Sequence, residues 1–91
     1  MLLTVPIKQV KTKYGAAVSA ESLYLTAGGG TIEEARERLE EGIMAWYNAL
    51  KRAGVLEDAL KRANLYIEGN ETEGLKIKTV FESRPITDDG K

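Results

Sequence analysis

One long periodic stretch constrains this chain more than anything else in it. Ile32, Ala35, Leu39, Ile43, Trp46, Leu50 and Ala53 recur at three- and four-residue steps, the spacing that stacks side chains along one face of an α-helix. Thr31 stands just before them with Glu34 three residues on, the capping-box spacing of a helix start. Glu33, Glu34 and Glu37 fall in the first turns and Lys51 and Arg52 in the last, the order that complements the helix dipole. Gly54 supplies the stop. Ahead of the cap, Gly28 to Gly30 end an apolar run and read as a sharp turn. The rest of the chain is expected to support this helix.

Toward the N-terminus, Leu3, Val5 and Ile7 alternate with Leu2, Thr4, Pro6 and Lys8, the pattern of a strand with one apolar face. Pro6 has no ladder donor, so it belongs on an edge, at a bulge, or where its nitrogen faces away from a neighbour. Lys11 to Gly15 read as a hairpin turn, Ala16 to Ala20 as a second strand, and Leu23 to Ala27 as a third with Tyr24 on one face. In the second half of the helix, Ile43, Met44, Ala45, Trp46, Tyr47, Ala49 and Leu50 are apolar nearly all round, more than one sheet face covers. Two things suit that girdle: a second copy of the chain, or a short helix over Val55 to Ala63, whose Asp58 and Arg62 have ion-pair spacing. Leu65 to Glu68 and Leu75 to Glu82 then read as strand, loop, strand. The expected fold is α+β: a three-stranded antiparallel meander, a long helix, a short helix and a returning strand or hairpin, in the order β-β-β-α-α-β-β. It occupies residues 1–84 as a single domain, and Pro85 opens a frayed tail over residues 85–91.

Gly30-Thr31-Ile32-Glu33-Glu34-Ala35, preceded by Leu23-Tyr24-Leu25-Thr26-Ala27-Gly28, resembles the start of the main helix in the HicB antitoxin family. The likeness continues through Ala45-Trp46-Tyr47-Asn48-Ala49-Leu50 and Gly54-Val55-Leu56-Glu57-Asp58-Ala59-Leu60. It implies a partial ribonuclease H fold and a non-catalytic, antitoxin-like role: direct binding of a small HicA-type toxin that cleaves RNA. Many members of the family carry a DNA-binding segment after the sheet. This sequence has no helix-turn-helix or ribbon-helix-helix pattern there, which sets it apart from the longer members.

The composition narrows the chemistry. With neither cysteine nor histidine, disulfides, imidazole or thiolate metal ligands, and Cys or His nucleophiles are excluded. A metal-dependent nuclease needs carboxylates converging from a first strand and a helix, yet no acidic residue precedes Glu21. The helix glutamates therefore read as a solvated, dipole-complementing face, and no enzyme activity, metal or cofactor is expected. The triple glycine is not a phosphate cradle, because no phosphate-loop motif accompanies it and three glutamates follow. The net charge of −1 offers no global attraction to nucleic acid. Lys8, Lys11, Lys13 and Tyr14 nonetheless form a basic cluster with an aromatic, the candidate nucleic-acid patch. Met44, Trp46 and Tyr47 are the candidate partner or oligomer interface; Trp46 and Tyr47 point about 100° apart, so at most one enters a given core. No apolar run reaches the roughly 18 residues of a membrane span, and the expectation is a cytoplasmic protein. An open sheet edge and the apolar girdle together predict a homo-oligomer. The competing expectation is a nucleic-acid-binding or regulatory domain acting as a homo-oligomer.

Overall fold

The computed structural model describes residues 1–70 and 74–82. The strand β1 (Leu2–Lys11) is central, and it is followed by β2 (Ala16–Ala20), a 3₁₀ turn (Glu21–Leu23) and β3 (Leu25–Gly29). The helices α1 (Ile32–Ala53) and α2 (Leu56–Ala63) come next, then the short β4 (Ile67–Glu68) and β5 (Lys76–Phe81). The five strands form one curled sheet, in which β1, β2 and β3 follow one another antiparallel as a meander. The predicted tail over residues 85–91 lies outside the described residues. None of the described helices is long and apolar enough to cross a membrane.

Strand β1 has three partners, and the alternation of its peptide groups explains how. Lys76 donates to the Met1 carbonyl at 2.9 Å and Glu82 to the Ile7 carbonyl at 3.0 Å, so the odd-numbered residues of β1 turn their peptide groups toward β5. Even-numbered residues turn theirs the other way. On that side Leu2 and Leu3 pair with β4, and Lys8 to Lys11 pair with β2. Pro6 falls between the two ladders, where a missing N–H leaves no acceptor unserved. Where a returning strand or hairpin is expected, β5 runs parallel to β1, while β4 pairs antiparallel on β1's opposite edge. The last two strands therefore do not pair with each other as a hairpin.

The core lies between this sheet and α1. Leu3, Val5, Ile7, Val18 and Ala20 from the sheet meet Ala35, Leu39 and Ile43 from the helix, with Leu23 and Leu65 closing the ends. The buried stripe of α1 runs on to Tyr47, 5% exposed, whereas Trp46 and Leu50 are half-buried and Ala53 is exposed. Steps of four carry the stripe about 40° further around the helix each time, which is why Tyr47 and not Trp46 enters this core. The apolar girdle is thus covered only in part: Ile43 and Tyr47 are buried, Trp46 packs with Leu60 and Ala63 at the edge of the core, and Ala45 and Ala49 are exposed.

Both ends of α1 are capped as expected, with one variation. The Thr31 hydroxyl accepts from the Glu34 N–H at 3.1 Å, while the Glu34 carboxylate accepts from the Gly30 N–H at 2.8 Å, one residue before the usual partner. At the other end Gly54 has φ 78, and the Gly54 and Val55 N–H groups bond back to the Lys51 and Leu50 carbonyls at 3.1 Å. The glycines before the cap have a different purpose from the one read in the sequence. Gly28 and Gly29 lie within β3, and a Cβ on Gly29 would stand 2.8 Å from the Glu34 Cβ, so glycine here lets the strand touch the first turn of the helix. Thr31→Ala is expected to lower stability by about 1 kcal/mol through loss of the cap. Leu39→Ala, which opens a void under the helix, is expected to lower it by about 2–5 kcal/mol. Urea denaturation midpoints at constant slope would check both.

Candidate functional site

The helix α1 divides the surface into two flanks. On the β5 flank a polar cluster links helix to sheet. Thr79, 1% exposed, accepts at its Oγ1 from Arg36 Nε at 2.8 Å and donates the hydroxyl proton to Glu40 Oε2 at 2.7 Å. Arg36 Nη2 also donates to the Thr79 carbonyl at 2.8 Å, and the guanidinium lies 5.4 Å from the centre of the Phe81 ring. The buried hydroxyl thus both accepts and donates a hydrogen bond. Beside the cluster, Glu37, Glu41, Met44 and Ile77 line a shallow trough of about 440 Å³. Its outer wall is acidic through Glu37 and Glu41, and Glu33 precedes them by the same four-residue step along the helix; all three are exposed.

On the opposite flank Arg38 Nη1 donates to the Gly28 carbonyl at 2.8 Å. Glu34 and Arg38 stand four residues apart on the helix, a spacing that suits an ion pair, but each side chain is taken instead by backbone of the strand-to-helix junction. Further along, the 3₁₀ turn, the end of α1 and α2 surround a groove of about 590 Å³ whose walls include Trp46, Leu50, Val55 and Ala59. Tyr24 stands on its rim in the left-handed region, φ 58, with its ring 95% exposed. This corrects the reading of Leu23 to Ala27 as a continuous strand. Glu21 to Leu23 coil into a turn closed by the Tyr24 N–H on the Glu21 carbonyl, which buries Leu23 and delays the strand until Leu25.

The structure separates the residues that the sequence grouped. Met44 and Trp46 are about 200° apart around α1 and line different grooves, while Tyr47 lies in the core with the Lys51 ammonium 5.8 Å from its ring centre. Neither family models, curated proteins nor solved structures match this chain. Its chemistry therefore rests on its own side chains. In the basic cluster Lys8 is engaged, its Nζ 2.8 Å from Glu21 Oε1. Lys13 and Tyr14 sit at the β1–β2 turn with the ammonium 5.9 Å from the ring, and the Lys11 side chain lies outside what is described. Asp58 and Arg62 make no ion pair with each other, as exposed pairs with long side chains commonly do not. Among the described residues no group of three or more His, Cys, Asp or Glu side chains converges as a metal site requires. Sequence reasoning missed the Arg36, Thr79 and Glu40 cluster because its members lie 39 and 43 positions apart. It also missed the groove, although an unusual local pattern, the polar Glu21-Ser22 before Leu23-Tyr24, marked where the strand fails.

The two candidate interface residues that the structure separates give a clear expectation. Tyr47→Glu is expected to abolish folding, since it puts an unpaired charge in the core, while Met44→Glu leaves a folded protein. Far-UV circular dichroism with thermal melting would distinguish them.

Proposed function

We propose that this chain is a non-catalytic protein-binding module of antitoxin type, whose partner is a small basic RNA-cleaving protein of the HicA type. The observation that carries this reading is the outer face of α1. Glu33, Glu37 and Glu41 present one sign of charge along a rigid, doubly capped helix, with Met44 and Ile77 as an apolar foot at its side. A basic partner is complementary to such a face, and electrostatic steering would speed their encounter. The order of elements along the chain, β-β-β-α-α-β-β, is compatible with the HicB resemblance. Loss of Lys8 to Glu21 weakens the competing nucleic-acid reading.

The test is co-expression with the product of a neighbouring reading frame that encodes a short basic protein containing histidine. The two are expected to co-purify, the toxin's RNA cleavage is expected to stop, and Glu37→Lys with Glu41→Lys is expected to weaken the complex at least about tenfold while the chain stays folded. Binding should also weaken as salt rises. A complex indifferent to both charge reversals overturns this surface, and cleavage of RNA or DNA by the purified chain alone in Mg²⁺ or Mn²⁺ overturns the non-catalytic reading.

A further inference from the structure

We propose that the groove between the 3₁₀ turn and the two helices is the face through which two copies of this chain meet around a twofold axis. The first ground is Tyr24. A bulky residue in the left-handed region is strained, and although this bend closes the turn that buries Leu23, the Tyr24 side chain itself is 95% exposed and adds nothing to the core. Val55, 45% exposed, and the half-buried Trp46 extend the same apolar surface. Aromatic side chains arranged around a concavity are the usual anchors of protein interfaces. The floor carries a related deficit: the Ser22 Oγ is buried with no hydrogen-bond partner among the described residues.

The charges select the occupant. On the groove side of α2, Val55, Asp58, Ala59 and Arg62 follow one another at helical spacing, acid toward the start and base toward the end. A partner of one sign would meet one complementary charge and one like charge. A second copy laid antiparallel instead places Asp58 of each chain opposite Arg62 of the other, twice, and opposes the helix dipoles. Glu57 and Lys61 repeat the same order beside them. Ala59 lies between the charged residues and is small enough to let the helices approach. Parallel copies would set like charges together, so the pattern permits the twofold arrangement and opposes the other. Neither Asp58 nor Arg62 is ion-paired among the described residues, which leaves both for this role.

This surface differs from the acidic face of α1, so the proposal and the antitoxin reading fail independently. The test measures mass by light scattering and sedimentation across concentrations up to on the order of 100 µM. The wild-type chain is expected to be a dimer. Asp58→Arg alone and Arg62→Asp alone are each expected to raise the dimer dissociation constant about tenfold or more, with circular dichroism unchanged. The double variant Asp58→Arg with Arg62→Asp restores opposite charges across the axis and is expected to restore the dimer. Tyr24→Ala should weaken it with no loss of fold, and the emission of Trp46, the sole tryptophan, should shift to the blue as copies associate. A wild-type monomer throughout this range would overturn the proposal and leave the groove to a foreign apolar peptide or small ligand. A dimer that ignores the single charge reversals, or is not rescued by the double one, would overturn it equally.

Discussion

The structure depends on how the peptide groups of β1 are shared out. One edge is given wholly to β5, while the other is divided between β4 near the start of the strand and β2 near its end. Its side chains alternate at right angles to this, so Leu3, Val5 and Ile7 stand on the helix face beneath Ala35, Leu39 and Ile43. No other strand touches more than two neighbours. The direction of α1 over the sheet, and so the position of the acidic face on one flank and the groove at the far end, follows from this central strand.

A sheet built this way has exposed edges, and α1 attends to both. Arg36 and Arg38 are two residues apart, about 200° around the helix, and so reach opposite sides. Arg36 takes the Thr79 carbonyl on β5 and Arg38 takes the Gly28 carbonyl on β3. On each strand the register turns that carbonyl away from the neighbouring strand, into the position an added strand would use. A guanidinium over such an acceptor opposes edge-to-edge pairing, which is how many natural sheets blunt their edges. The open edge, one of the two grounds for expecting self-association, therefore loses force. The charged, aromatic groove at the end of the helices offers the stronger ground.

Much of this architecture was legible in the sequence because its causes are local. The cap at Thr31, the stop at Gly54 and the alternation of Leu3, Val5 and Ile7 each depend on neighbours within a turn or a strand. Tyr24 and Tyr47 were misplaced for different reasons. At Tyr24, a turn that buries Leu23 prevails over a favourable strand composition; at Tyr47, a small angular drift decides between adjacent aromatics. The parallel pairing of β5 and the bonds of Thr79 to Arg36 and Glu40 join distant parts of the chain, and no pattern within either segment announces them. The candidate interface residues were recognised as apolar, but only the sheet beneath the helix determines which of them face outward.

The parallel ladder between β1 and β5 also sets the order in which the chain can fold. The hairpin of β1 and β2 and the turns of α1 need only nearby residues and can form early. Strand β5 is the last of the described strands, so the β5-facing groups of β1 between Leu2 and Ile7 find their partners only in a segment about seventy residues further along the chain. Closing so long a loop is the entropically demanding step, and it is then fastened by the Arg36, Thr79 and Glu40 bonds between helix and strand. Interactions formed this late act chiefly on how slowly the native chain opens, so such a cluster can govern the protein's lifetime.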